Sequence, residues 1–304
     1  MTTADTSAAS ADDILEGPRF DSLYKTLIEP QLEALEQKRK AAVRLFLIIC
    51  MIGAVPLAAE LAFFPDIRVL IVTVAIVGVV AYVPIGQVRM ASKETVINAL
   101  CAPLDILYAE TKVTPPAFDT FLNLNLLPHP SGKTFQDSFD GRRGDFAFTL
   151  CQATLEQGSG KSRHVVFRGQ MFRITTPRRL LGTTVVLRDS GWLDRFECPA
   201  GLQKVGLEDP QFERIFEVFG SDQVEAREIL DPVFMEQLVA LETSYAGEHM
   251  RCGFVGPDLL LAVEGPLRFE IGGMFTSLVD RTRVERIAND IEAVFKLIDS
   301  FKRA

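Results

Sequence analysis

Apolar residues follow different rules in different stretches of this chain. From Leu45 to Phe64 they are nearly continuous, broken only by Glu60, and from Val69 to Gly86 no charged residue occurs. Beyond residue 115 the runs shorten and the period moves from 3.6 towards 2, until a helical period returns at the C-terminus. At 1.5 Å per residue, about 20 helical residues cross the roughly 30 Å hydrocarbon core of a bilayer. The Leu, Ile and Val residues of the second run together favour insertion by about −3 to −7 kcal/mol. The pattern predicts transmembrane helices over 43–64 and 67–86. With only Pro65, Asp66 and their neighbours between them, the two must form an antiparallel hairpin.

Charge orients that hairpin. Lys38, Arg39, Lys40 and Arg44 precede it, Arg89 and Lys93 follow it, and the tip offers Arg68. The positive-inside rule then places both termini in the cytoplasm. No apolar h-region occurs in the first forty residues, so no cleavable signal peptide is expected and the first span does its own targeting. Ala54, Ala58 and Ala62 form a small-residue face, expected to pack on the second helix of the same hairpin in preference to a second copy. Glu60, one turn from the tip, is expected to snorkel or to pair with Arg68 rather than to mark an ion path.

Helical spacing continues on both flanks. Phe20, Leu23, Tyr24, Leu27, Ile28, Leu32 and Leu35 recur before the hairpin, Pro30 suits the first turn of a new helix, and Glu36 stands four residues from Lys40. Val96, Leu100, Leu104 and Leu107 repeat the pattern afterwards, with a kink expected at Pro103. These faces predict a helical stalk, ended by Thr114-Pro115-Pro116. The expected organisation is a disordered N-terminus over 1–18, a membrane anchor over 19–114 and a cytoplasmic domain over 115–304.

In that last region, strands are expected at 133–140, 144–155, 163–175 and 182–189. A helix through Phe212, Ile215, Phe216 and Phe219 and another through Phe234, Leu238, Leu241 and Tyr245 come next. Strands at 249–255, 258–264 and 267–271 precede a final amphipathic helix through Val284, Ile287, Ile291, Val294, Phe295, Ile298 and Phe301. The fold class is therefore an α-helical transmembrane hairpin plus a cytoplasmic α+β domain with an antiparallel sheet. A seven-stranded, helix-capped barrel of the pleckstrin-homology kind would satisfy this order.

Forty acidic against 32 basic residues, net −8, argue against nucleic acid as a partner. The balance is uneven, net +5 over 133–195 and net −9 over 196–304. The five cysteines are dispersed without a CxxC pair, as reduced thiols would be. Gly158-Ser159-Gly160-Lys161-Ser162 imitates the end of a phosphate-binding loop. The glycine that should stand five residues before Gly160 is Leu155, however, and a strand-like run follows, so a polar hairpin turn is expected. His129, His164 and His249 show no metal-ligand spacing, and no GxSxG elbow is present; no catalytic residue, cofactor or metal is assigned.

Two features remain as candidate contacts. Arg142-Arg143 and Arg178-Arg179 lie in turns of the basic section, where each side chain facing anionic lipid would gain about 1 kcal/mol; solvated loop charge is the plainer alternative. Asp222, Glu225 and Arg227 form either a functional patch or, preferably, a structural ion pair of Arg227 with Asp222 or Glu225.

Several segments carry a family resemblance. They are Leu35-Glu36 with Arg39 and Lys40, Asp137-Ser-Phe-Asp-Gly141, Phe167-Arg-Gly169, Leu207-Glu-Asp-Pro-Gln-Phe212, Phe216-x-Val218, and Asp222-x-x-x-Ala226-Arg227-x-Ile229-Leu230. On these the chain resembles the bacterial membrane proteins that share the domain of unknown function numbered 3137. The resemblance implies two membrane helices, a cytoplasmic domain and a bacterial inner membrane; it implies no activity and no site residues. The functional expectation is a membrane-anchored protein whose cytoplasmic domain binds a protein partner or a lipid surface, the partners being the bilayer, anionic headgroups or another membrane protein. The alternative is a tethered enzyme or small-ligand sensor, whose pocket would bring Asp222 and Arg227 together with a histidine.

Overall fold

A computed structural model describes residues 17–63, 67–110, 114–177, 179–188, 199–244, 249–267, 269 and 276–301. The chain divides into two compact units: residues up to Leu100 with Phe269–Ala288, and Cys101–Arg268 with the residues from Asn289 onward.

The first unit is helical. α1 (Gly17–Leu23) passes through a π-helical turn, Tyr24–Ile28, directly into α2 (Glu29–Phe63), and α3 spans Ile67–Cys101. Pro30 stands in the first turn of α2, directly after the π-helical turn, so the residue that can donate no N–H falls where the helix is already widened. Phe20, Tyr24, Ile28 and Leu32 are buried at steps of four residues. On a plain α-helix such steps drift by about 40° each, and the wider π turn takes up part of that drift. Val96, Ile97 and Leu100 of α3 are buried as well.

Along the apolar stretch α2 and α3 run antiparallel. Thr73 Oγ1 donates to Glu60 Oε1 at 2.8 Å, and Gly53 faces Val77. The expected small-residue face does not make this contact: Ala54, Ala58 and Ala62 are exposed. Gly53 makes it, because a Cβ there would lie 2.7 Å from both Val77 methyls. The partner found for Glu60 is Thr73, a neighbour that its position in the sequence did not suggest. Elsewhere on this stretch large aliphatic side chains point outward, Met51, Ile52, Val55, Ile71, Ile76 and Val79 among them. Both helices are long and apolar enough to cross a membrane. The hairpin tip, 64–66, and the expected disordered segment up to residue 16 lie outside the described residues.

Pro103 ends a helix instead of kinking one. α3 stops at Cys101, a 3-10 turn covers Ala102–Leu104, and Asp105 takes a left-handed backbone (φ 55°). Leu107, expected on a helix, then opens a strand.

Among the described residues the second unit has nine strands: β1 (Leu107–Ala109), β2 (Gly132–Arg143), β3 (Phe146–Gln157), β4 (His164–Thr175), β5 (Thr183–Arg188), β6 (Gln203–Val205), β7 (Phe216–Gly220), β8 (Met250–Val255) and β9 (Asp258–Glu264). They form one sheet in the order β1-β2-β3-β4-β9-β8-β5-β7-β6, with every neighbouring pair antiparallel. The α+β class and the antiparallel sheet match expectation. The seven-stranded barrel does not: the row is open, with β1 and β6 at its two ends. Two of its extra members, β1 and β7, come from segments whose apolar spacing suits either helix or strand, and the third, β6, from a segment whose pattern predicts no element. Phe212, Ile215, Phe216 and Phe219 do not share a helix. α5 (Pro210–Glu213) is one turn, and β7 follows with Phe216, Val218 and Gly220 buried in alternation. Most of the expected strand at 267–271, and Tyr245 of the expected helix, fall outside the described residues.

Both faces of the sheet are covered. On one face, Phe118 and Phe121 of α4 (Phe118–Asn123), with Leu124, Leu126 and Leu127 after it, join Phe135, Cys151, Leu155, Phe167, Met171 and Leu260 in one cluster. On the other, Phe148 meets Phe295 of α8 (Arg281–Phe301) edge-on, ring centroids 5.8 Å apart. α6 (Gln223–Ile229) and α7 (Pro232–Ser244) lie between β7 and β8 in the chain, and Phe234 of α7 packs against Phe254. Gly169 lets β4 approach β9, since a Cβ at this position would lie 2.0 Å from the Val263 carbonyl oxygen.

Candidate interaction surface

The segments that carried the family resemblance resolve into scaffold. Leu35 is buried, and Glu36 accepts from the Arg39 guanidinium at 2.8 and 2.7 Å and from the Leu278 N–H at 3.0 Å. Lys40, the expected partner, is the more distant one at 3.9 Å. The hydrogen bond from Arg39, assisted by that from Leu278, holds the Glu36 carboxyl below the usual carboxylate range. Close by, Arg281 pairs with Asp21 and Glu285 and lies over the rings of Phe20 and Tyr24. Asp209 caps α5 and Asp222 caps α6, each accepting two backbone N–H bonds. Phe212, Phe216, Val218, Ala226, Ile229 and Leu230 are all buried.

Asp137 is the most unusual of these residues. It sits fully buried at a bulge of β2, with φ 55°. Tyr108 Oη donates to its Oδ1 at 2.7 Å and Gln152 Nε2 to its Oδ2. Gln152 pairs across the ladder with Gln170, whose Nε2 also reaches the Pro266 carbonyl at 3.0 Å. A polar row thus crosses β1 to β4 within an apolar face. Low dielectric strengthens each bond in such a row and makes each unpaired group costly, which gives it a role in fixing strand register. The sequence signal was weak: an Asp in a mostly polar strand and one Gln inside each of two more apolar ones.

The arginine turns divide. Arg143 pairs with Asp299 and lies over the Phe295 ring, 4.5 Å from its centroid, so it fastens β2 to α8 instead of facing outward. Arg142 and Arg179 are exposed, and Arg178 lies outside the described residues. The expected ion pair of Arg227 is not formed. Arg227 donates to the Gly206 carbonyl at 3.1 Å and to Gln223, while Glu225 accepts from the N–H groups of Leu181 (3.0 Å) and Gly182 (2.6 Å). Asp222, Glu225 and Arg227 therefore build caps and clamps from backbone groups, partners that no side-chain spacing discloses.

That clamp holds up a feature missed in the sequence. Leu181 is 95% exposed and Val224 74%, on two segments joined through Glu225. The signal available was an apolar Leu180-Leu181 pair inside a Pro, Arg and Gly turn.

No histidine appears among the partners of Asp222 or Arg227: His164 contacts the Ser162 carbonyl, and His249 lies 3.8 Å from Glu264. Among the described residues no group of three His, Cys, Asp or Glu is placed to hold a metal. The loop that imitates a phosphate site is the β3–β4 turn, with Gly160–Ser162 in a 3-10 helix. A cavity of about 110 Å³ beside β6 and β7 is lined by Lys204, Val205, Glu213, Phe216, Glu217 and Val218, none of them a candidate residue.

Residues 165–303 match the model of the family described as "Protein of unknown function (DUF3137)". No curated protein matches the chain. Among solved structures the chain is similar to the crystal structure of the mycobacterial trehalose monomycolate transport factor A, TtfA. The identity is 8%, over 67% of this chain and 93% of that one, with a TM-score of 0.34.

Proposed function

We propose, for a chain whose residues 165–303 belong to the family of proteins of unknown function DUF3137, a membrane-anchored protein of the bacterial inner membrane. Its second unit is a cytoplasmic module that binds a lipid surface or a protein through exposed side chains. The observation that carries this reading is the outward-facing aliphatic band of α2 and α3, from Leu45 to Val83. Such a band would be a large exposed apolar patch in water and is what a bilayer covers. Lys38, Lys40 and Arg44 before the band and Lys93 after it support a topology with both termini in the cytoplasm. The family motifs build the scaffold of the module: their residues cap helices, fasten strands and fill the core.

The test is membrane fractionation followed by an alkaline carbonate wash. The full chain is expected to stay with the membranes, and single cysteines near either terminus are expected to react with impermeant maleimide only after the cells are opened. Release by carbonate, or labelling of either terminus from outside, sinks the reading.

A further inference from the structure

We infer that the turn Arg179–Gly182, together with Val224, is a lipid-contacting knob that seats on an anionic membrane surface. The inference rests on the membrane-anchored reading above and names the surface that the module meets. Among the described residues no large apolar side chain is more exposed than Leu181, and Val224 is 74% exposed. Single exposed aliphatic residues are ordinary; two of them on one rigid clamp are less so.

The rigidity is explicit. Leu180 is buried and donates its N–H to the Gly256 carbonyl at 2.8 Å. Glu225 grips the next two N–H groups, and Thr183 exchanges bonds with Ser221 on the far side, N–H to Oγ at 2.8 Å and carbonyl to N–H at 2.9 Å. Leu181 is therefore held outward from a fixed backbone, so little ordering entropy opposes its insertion.

The charges suit anionic lipid. Arg178 and Arg179 stand immediately before the apolar tip. The carboxylates on either side of Val224, Asp222 and Glu225, are turned towards backbone N–H groups by the cap and the clamp. An aliphatic tip preceded in sequence by two arginines suits both layers of a membrane interface, the acyl boundary and the phosphates. A protein hot spot is more often built on Trp or Tyr, with Leu and Val under-represented, and this tip carries no aromatic residue.

The experiment uses the full chain with Cys50 and Cys198 replaced by serine, since Cys101, Cys151 and Cys252 are buried. A nitroxide is placed in turn at Leu181→Cys, Val224→Cys, Lys161→Cys and Ile76→Cys. The labelled proteins are reconstituted in vesicles of phosphatidylcholine, with or without phosphatidylglycerol. The readout is the ratio of collisions with lipid-dissolved oxygen to collisions with an aqueous nickel chelate. With phosphatidylglycerol present, that ratio at positions 181 and 224 is expected to exceed the value at Lys161 by roughly threefold or more. It is expected to fall back when Arg178 and Arg179 are both replaced by glutamate.

Ile76 reports on the anchor. Lipid contact at Ile76 with water contact at 181 and 224 in both vesicles overturns the knob and leaves the anchored reading standing. Water contact at Ile76 removes both. Shielding of 181 only in membranes that retain the cell's proteins overturns the lipid assignment in favour of a protein partner.

Discussion

Glu225 fixes a turn 43 residues away with one carboxylate, accepting from two consecutive backbone N–H groups. Glu225→Ala leaves both donors to water and is expected to cost about 1–2 kcal/mol. Hydrogen exchange at Leu181 and Gly182 should rise with it while the strands stay protected. Gly182→Ala should disturb the same clamp from the other side, because its Cβ would lie 2.8 Å from Glu225 Oε2. Asp137 makes a sharper test. Asn tolerates the left-handed backbone and keeps an acceptor, so Asp137→Asn is expected to be the milder change. Asp137→Ala adds roughly 1–2 kcal/mol of backbone strain to the loss of the hydrogen bonds from Tyr108 and Gln152, for a total of about 3 kcal/mol. If the polar row contributed nothing, the two variants would differ in urea stability by no more than that backbone strain, about 1–2 kcal/mol.

For single elements the critical contacts are as local as those of single residues. Gly53 is where α2 admits α3, so Gly53→Leu should drive the helices apart at a cost of about 1–3 kcal/mol. Ala58→Leu, on the exposed face, should change little; equal losses of thermal stability in detergent micelles would refute this packing. The two apolar helices were legible because nothing but length and hydropathy is needed to recognise them. The hairpins β2–β3, β3–β4 and β8–β9 were legible from alternation between turn residues. β7 was not, because Phe212, Ile215, Phe216 and Phe219 fit a helical face as well as a strand. Its assignment waits on β5 and β6, which supply the hydrogen bonds. For the same reason Leu107 passed for the end of a helix until β2 offered it a ladder.

In the whole molecule, the C-terminal segment returns to the N-terminal helices inside the first unit, through Leu278 on Glu36 and Arg281 on Asp21. The lowered Glu36 pKa makes that return dependent on pH. Its contribution is complete above the ordinary glutamate value of about 4.3 and is lost as pH falls through the depressed folded value. Stability should therefore hold from neutral pH to about 5 and drop below about 4.3. Arg39→Ala should flatten that drop, and an unchanged acid limb in this variant would rule the linkage out. Burial pushes the Cys151 thiol up to about 12 and raises that of Cys252 as well. Both are expected to resist alkylation at pH 8 until the second unit unfolds; their reaction in the native protein would show that the sheet opens locally.

By itself the sequence determined the two apolar helices, the charges around them, the antiparallel α+β class and the turns between the long strands. Each of these is written in periods and neighbours a few residues apart. Tertiary structure alone decided that the sheet is open, that Arg143 belongs to Asp299 and Phe295, and that Glu225 clamps a turn instead of meeting Arg227. It also decided that Leu181 stands outside. The physical reason is common to all four. A backbone N–H, a ring face or a covering surface becomes a partner only once segments distant in the chain have been brought together, and the spacing of side chains along one segment does not record it.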